Sequence, residues 1–174
     1  MRLLIVLLVS IVCVTGCQKK QQAVDSGIPQ ERQEMAKKLI VKSLADLQNK
    51  DLKSAVSTLE ASIKLNPTSS DAYLLLGQIL LKVQEYKRAA EFLDDAAKIF
   101  PNNGTIFYML AIANRMDGKK LPAVLAARRA VELFQEAQDK DNMLKSAVLL
   151  QDLINTPDDK FVPMSDTTSA PIGG

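Results

Sequence analysis

Apolar residues recur at every third or fourth position through the middle of the chain, from about residue 31 to residue 155. That spacing predicts amphipathic α-helices, whereas strands would place an apolar residue at every second position. The flanking segments are polar: residues 17–30 contain Gly27 and Pro29, and residues 156–174 combine Pro, Ser, Thr, Asp and Gly without a period. The pattern therefore predicts one helical domain, residues 31–155, between a flexible tether and a disordered tail.

The beginning of the chain has the features of an export signal. Arg2 supplies a positive charge, and residues 3–14 are apolar apart from Ser10. This stretch is too short to cross a bilayer core of ~30 Å as a helix, but it suits the apolar region of a signal peptide. Residues 1–16 are therefore predicted to be a signal peptide.

The residues that end this segment, Val14-Thr15-Gly16-Cys17, resemble the lipobox of bacterial lipoproteins. The resemblance implies cleavage after Gly16 and lipidation of the Cys17 thiol; ordinary signal cleavage or an uncleaved anchor are the alternatives. Because Gln18 follows the cysteine, the sorting rule of enteric bacteria favours the outer membrane. The expected location is the bacterial cell envelope, with the lipid anchor at the periplasmic face of the outer membrane.

The two cysteines have separate expected fates. Cys13 lies inside the signal peptide and is lost with it, and lipid would block Cys17. The mature chain therefore cannot form an intramolecular disulfide, although exported proteins often do.

A 34-residue repeat organises the helical region. Pro67 and Pro101 lie 34 positions apart, and the segments around them superimpose. This pattern resembles the tetratricopeptide repeat, in which each unit is a pair of antiparallel helices. Residues 70–103 fill nearly every signature position of that family, with Tyr73, Leu76, Gly77, Leu80, Tyr86, Ala89, Leu93, Ala96 and Pro101. The resemblance implies units at about residues 36–69, 70–103 and 104–137.

The two outer units depart from the pattern. In the third unit, Gln135 stands where proline is expected. In the first unit, Lys42-Ser43 stands where the family has Leu-Gly. Sliding the first helix by one residue brings Ile40, Leu44 and Leu47 to apolar positions, which predicts a turn one residue longer at residues 49–51.

Residues 141–155 predict a further amphipathic helix, which would cover the apolar end of the last repeat. The predicted fold is all-α: a short right-handed α-solenoid of about three tetratricopeptide hairpins plus a C-terminal capping helix. Gly77 and Ala89 must be small because the two helices of a hairpin cross there. Ser69 or Ser70 is expected to cap the helix that follows Pro67.

The resemblance also implies a binding surface. In this family, the first helix of each hairpin lines a concave groove that binds extended peptides or helices of other proteins. The groove positions carried over to this chain are Asp71, Leu74, Gln78, Leu81 and Lys82 in the second repeat, and Thr105, Tyr108, Ile112, Arg115 and Met116 in the third. In the first repeat they are roughly Ile40, Leu44, Leu47 and Gln48. Either a partner protein docks there, or the N-terminal or capping helix of the chain itself covers the groove.

Composition and charge exclude several other functions. The chain has 22 Lys and Arg against 20 Asp and Glu, so the strongly basic surface of nucleic-acid-binding proteins is absent. It contains no histidine, which excludes Ser-His-Asp catalysis and histidine metal ligands. No cofactor or metal site is predicted. The charged pairs Asp94-Asp95, Lys119-Lys120 and Arg128-Arg129 are interpreted as solvated surface rather than as catalytic or phosphate-binding groups.

These observations predict a non-enzymatic, membrane-anchored lipoprotein that acts as a protein-interaction scaffold. The expected partner is a protein bound in the concave groove, and the class of assembly accessories, such as secretin pilotins, offers a comparison for anchor and fold. The alternatives are a carboxylate-dependent envelope enzyme, a small-ligand carrier, and a lipoprotein that self-associates.

Overall fold

The computed structural model describes residues 27–161 and Pro163 of the 174-residue chain. The predicted signal peptide, Cys17 with most of the tether, and most of the C-terminal tail lie outside these residues. The helices are α1 (Gln30–Gln48), α2 (Leu52–Leu65), α3 (Ser70–Lys82), α4 (Tyr86–Ile99), α5 (Gly104–Met116), α6 (Lys120–Glu136) and α7 (Lys140–Asn155), followed by a 3₁₀ turn (Asp158–Lys160). The described part of the chain contains no strand, which confirms the all-α fold.

The helices pack as three successive hairpins with α7 at the end. The partners within the hairpins are α1 with α2, α3 with α4, and α5 with α6, and α7 packs on α6. Neighbouring hairpins meet where α2 contacts α3 and α4 contacts α5, and α3 also contacts α5. Leu59, Leu80, Leu93, Ile106 and Leu153 are fully buried, so a continuous core runs from the first hairpin to α7. Each repeat thus buries its apolar face against its neighbour, as in other solenoids. Within residues 27–161, no helix is both long enough and apolar enough to cross a membrane.

The turns within the three hairpins keep a strict 34-residue register. Lys50, Gln84 and Gly118 occupy equivalent positions, and all three have positive φ, of 61°, 64° and 75°. In each turn, the next residue donates its backbone N–H to the carbonyl oxygen five positions earlier, at 2.9, 3.0 and 2.8 Å. This is the Schellman ending of a helix, for which glycine is the usual residue because positive φ is unfavourable for other side chains.

The longer first turn that the sequence predicted is wrong. The connection between α1 and α2, residues 49–51, is as long as the one between α3 and α4, residues 83–85. Ser43 therefore takes the place of Gly77: it is fully buried, and its hydroxyl donates to the Ile40 carbonyl at 2.6 Å. Lys42, which takes the place of Leu76, has a side chain 55% exposed, because among the described residues α1 packs chiefly on α2.

Polar contacts join α1 to α2 in the first hairpin. The Ser62 hydroxyl donates to the Ala36 carbonyl at 2.9 Å. The Asp46 carboxylate accepts from Lys42 at 2.9 Å, from Ser54 at 3.0 Å and from Thr58 at 3.3 Å. These hydrogen bonds, chiefly the one from Lys42, lower the pKa of Asp46 and keep it ionised.

Not every predicted helix cap is observed. Ser69 occupies the cap position of α3, but no side-chain hydrogen bond caps that helix, so the predicted serine cap is wrong. Asn66 accounts for this, because its side-chain oxygen accepts from the amide and hydroxyl of Thr68 at 3.2 and 2.8 Å and orders the connection instead. Three other helices are capped by side chains: α2 by Asp51, α5 by Asn103 and α7 by Asp139.

Gly77 marks the closest approach of three helices. A Cβ atom at this position would lie 2.7 Å from Leu93 Cδ2 on α4 and 2.9 Å from Met109 Cε on α5. Tyr73, one turn earlier, stacks on Phe92 with ring centroids 5.6 Å apart and meets Phe100 edge-on at 5.2 Å. Two features therefore stabilise the second hairpin: the close packing that Gly77 allows, and the aromatic cluster beside it.

We expect Gly77→Ala to lower the free energy of unfolding by about 1–3 kcal/mol, because the added methyl group must push Leu93 and Met109 aside. This loss opposes the gain in helix propensity from glycine to alanine, which is at most ~1 kcal/mol. Urea denaturation followed by circular dichroism measures the difference. The control is Gln78→Ala, at the exposed neighbouring position, which should change the stability by less than ~0.5 kcal/mol. Equal or greater stability of Gly77→Ala would contradict the close crossing.

Candidate functional site

The predicted groove residues of α3 lie on one side of that helix. Asp71, Gln78 and Lys82 are exposed, and Leu74 and Leu81 are half-buried. Their spacing of three or four residues places them along a single helix face, away from the buried Leu76 and Leu80. Aliphatic side chains are thus partly open to solvent at the centre of this face.

The corresponding residues of α5 are all partly exposed. Thr105, Tyr108, Ile112, Arg115 and Met116 are each intermediate between buried and exposed. Because α3 and α5 contact each other, these two sets of residues form neighbouring parts of one surface. We call this surface, formed by the first helices of the hairpins, the concave face.

Two further helices carry exposed apolar residues. On α1, Val41 is 67% exposed and Leu44, a predicted groove residue, is 44% exposed. On α7, Leu144 and Val148, one turn apart, are each 62% exposed. The Arg115 guanidinium forms an ion pair with Asp152, which joins α5 to α7.

The sequence reasoning missed that α7 carries exposed apolar residues, because it treated this helix only as a cap. The spacing of Leu144 and Val148, outside the stripe that packs on α6, was the available signal. Within the described residues, neither terminal helix covers the groove residues of α3: α1 packs on α2, and α7 packs on α6.

A pocket of about 510 Å³ opens between α1 and α3. We call it the α1–α3 pocket. Its walls are aliphatic, formed by Leu47, Leu52, Leu75 and Ile79. Polar side chains also line it, namely Lys50, Gln78 and Lys82. Gln78 and Lys82 are predicted groove residues, so the pocket belongs to the concave face.

A larger opening of about 710 Å³ lies at the far end of the array, between the end of α6 and the start of α7. Phe134, Met143 and Leu144 line it together with Gln135, Gln138 and Lys140. Within the part of the chain that the structure describes, it lies where no further hairpin packs against α6 and α7. It is therefore an end surface of the solenoid rather than part of the groove.

Each charged pair considered in the sequence has at least one member that forms an ion pair with a neighbour. Lys98 binds both Asp94 and Asp95 at 2.9 Å, and these carboxylates raise the pKa of the lysine. Lys119 pairs with Asp117 at 2.7 Å. Arg129 pairs in the same way with Glu132 at 3.2 Å. Within residues 27–161, no group of three or more His, Cys, Asp or Glu residues could hold a metal ion.

The segment after α7 differs from the disordered tail that the sequence predicted. The Lys120 ammonium donates to the Thr156 carbonyl, pairs with Asp158 at 2.7 Å and lies 5.7 Å from the centre of the Phe161 ring. Pro163 lies against the α5–α6 turn, so close that a Cβ atom on Gly118 would be 2.8 Å from its Cδ. A lysine and a glycine far upstream provide these contacts, which the local composition of the segment could not indicate. We call residues 156–161 and Pro163 the C-terminal strap.

Comparison with known proteins agrees with this architecture. Residues 46–112 match the family model of the tetratricopeptide repeat. Residues 46–112, from the end of α1 into α5, therefore carry tetratricopeptide repeats. A comparison with curated protein sequences gave no match.

Several solved tetratricopeptide structures are similar in fold. The type III secretion translocator chaperone SycD of Yersinia enterocolitica aligns with a TM-score of 0.62 at 16% identity, over 69% of this chain and 92% of SycD. PcrH of Pseudomonas aeruginosa, in complex with the chaperone-binding region of PopD, gives 0.63 at 15% identity over 70% and 92%. The TPR2B domain of yeast Sti1, in a complex with pHsp70, gives 0.63 at 17% identity over 69% and 96%.

We expect Lys120→Ala to release the C-terminal strap while the repeats stay folded, because this one ammonium holds three separate groups of the segment. Hydrogen exchange should rise by about tenfold or more at residues 156–161, in keeping with the loss of ~1.4 kcal/mol of local stability. The matched control, Lys119→Ala, removes the neighbouring lysine, which pairs only with Asp117, and should leave that exchange unchanged. Equal exchange in the two variants would show that Lys120 does not fasten the strap.

Proposed function

We propose that the chain is a membrane-anchored lipoprotein of the bacterial envelope that binds a protein partner on its concave face. In this role it acts as a scaffold or assembly accessory, comparable to pilotins in being a lipid-anchored helical domain. The binding step requires no bond to be made or broken. What the chain contributes is a fixed array of helices with a partly apolar surface.

One observation carries the proposal: partly exposed aliphatic and aromatic residues, namely Leu74 and Leu81 on α3 and Tyr108 and Ile112 on α5, lie on two helices that contact each other. Leu44, on α1, is 44% exposed. A grouped apolar surface of this kind in a folded domain favours a docking site, whereas single exposed apolar residues are common on any surface. A helix or an extended segment of another protein would bury it.

Two of the similar folds hold protein partners, which supports the same use of this fold here. PcrH was solved with the chaperone-binding region of PopD, and the Sti1 domain was solved in a complex with pHsp70. Identity with this chain is 15–17%. The partner of this chain is therefore inferred from its own surface chemistry rather than from theirs.

The anchor rests on the residues around the predicted cleavage site. The lipobox-like Val14-Thr15-Gly16-Cys17 directly follows the apolar segment of the signal. Two or three acyl chains would hold the protein on a membrane stably, whereas a single chain is marginal. A tether of about thirteen flexible residues has a typical span of roughly 20 Å, which would keep the groove close to the membrane surface.

We expect a photocrosslinking phenylalanine analogue at position 108 of the full chain, in its native membrane, to capture one partner protein. Tyr108 lies on the concave face, so its replacement reports contact there. Leu81→Arg, introduced into the same chain, should reduce this adduct by about tenfold or more, since a charge at an apolar anchor costs at least ~1.4 kcal/mol of binding. Mass spectrometry of the adduct identifies the partner.

The same analogue at position 86 is the matched control, because Tyr86 begins α4 and does not belong to the concave face. It should give no such adduct. Adducts containing only this chain would replace the proposed partner with self-association. Equal capture from both positions would contradict docking on the concave face.

We expect Cys17→Ser to abolish lipidation, so that the protein keeps its signal peptide and gains no acyl mass. Cys13→Ser is the matched control: it removes the other thiol within the signal peptide and should leave processing unchanged. Intact mass measurement and fractionation in detergent separate the forms. Normal lipid-modified mass in Cys17→Ser would overturn the anchor.

A further inference from the structure

Two lysines line the α1–α3 pocket without an ion-pair partner among the described residues. Lys50 lies in the turn after α1, and Lys82 is the last residue of α3. The carboxylates nearest to them in sequence are already engaged. Asp51 accepts from the amide of Ser54 at 2.9 Å, and Glu85 pairs with Arg88 at 2.9 Å. The two charged residues that line the pocket are therefore both cations.

The turn that carries Lys50 does not depend on a lysine. Its φ of 61° recurs at the equivalent positions of the other two hairpins, where Gln84 has 64° and Gly118 has 75°. The fold therefore tolerates glycine at this turn, and packing does not require a lysine there. A long, flexible cation at the edge of the pocket suits contact with a group that enters from outside.

The apolar walls of the pocket indicate which kind of group it would bind beside the lysines. Leu47, Leu52, Leu75 and Ile79 offer only carbon atoms, and Leu52 is 39% exposed. The volume of about 510 Å³ lies within the ~300–1,000 Å³ that is usual for binding pockets. An aliphatic side chain fits these walls, whereas the polar groups of a phosphate or a sugar would find no hydrogen-bond partners on them.

We propose that the α1–α3 pocket binds an aliphatic side chain of the partner protein that is flanked by Asp or Glu. This inference rests on the proposed function and specifies the partner segment. Leu47, Leu52, Leu75 and Ile79 enclose the aliphatic group, while Lys50 and Lys82 attract the flanking carboxylate. Because exposed ion pairs add little energy each, the lysines select among partner segments more than they add affinity.

A peptide display selection on the full chain, purified in detergent, tests the preference directly. The probe is a library of random twelve-residue peptides. We expect Asp or Glu within two positions of Leu, Ile, Val or Met to be enriched by about threefold or more over the unselected library, since one or two exposed ion pairs contribute at most ~1 kcal/mol each. Binding of the selected peptide, measured by fluorescence anisotropy, should weaken as salt rises, because salt screens exposed charges.

Charge reversal in the pocket distinguishes a preference for acidic segments from non-specific hydrophobic binding. The double variant Lys50→Glu and Lys82→Glu should bind the selected peptide about tenfold more weakly, since both residues would then repel its carboxylates. A second selection on this variant should enrich Lys or Arg beside the aliphatic residue. Lys87→Glu is the matched control, because Lys87 is exposed on α4. This variant should bind the selected peptide with the affinity of the wild type. Urea denaturation confirms that each variant is folded.

The outcomes distinguish this inference from the proposed function. Enrichment of neutral or basic flanking residues, or unchanged affinity after charge reversal, overturns the acidic preference while a partner captured from position 108 still stands. Capture of residues 164–174 or of a second copy at the pocket overturns it as well, because the occupant is then the chain itself. Absence of any bound peptide, together with adducts of this chain alone, overturns both.

Discussion

The close approach of α3, α4 and α5 around Gly77 is the constraint on which the rest of the domain depends. A single absent side chain allows Leu93 of α4 and Met109 of α5 to reach the same point on α3. It therefore fixes two distances at once, one inside the second hairpin and one between the second and third hairpins. The concave face inherits this geometry, because Leu74 and Tyr108 can form one surface only if their helices are this close.

The middle of the domain could be predicted from the sequence because the residue types there are restricted by how the helices pack. Gly77, Ala89 and Pro101 recur at family positions whose sizes and backbone conformations have few alternatives. The same reasoning located the groove residues of α3 and α5, which the structure finds at least partly exposed. Whether a partner occupies them is a separate matter that sequence spacing does not address.

The ends of the domain were harder to predict because the terminal helices pack on fewer neighbouring helices, so their residues depart from the repeat pattern. Lys42 stands where Leu76 stands in the second repeat, on a helix that packs chiefly on α2 within residues 27–161. This made a regular repeat look shifted by one residue. Leu144 and Val148 of α7 look like core residues in a periodic pattern, yet they are each 62% exposed. The C-terminal strap depends on Lys120, which is 36 residues away from Thr156. Local composition carries no trace of such a contact.

The attachment of the strap also determines how the domain would carry a mechanical load. Helix α1 begins at one end of the array, and Lys120 and Gly118 fasten the C-terminal strap to the third hairpin. A pull between residue 27 and Pro163 would therefore enter at the α5–α6 turn and pass through the hairpin interfaces in series. Helix α7 would lie outside the loaded path, so its surface could stay engaged while the interfaces between hairpins bear the tension.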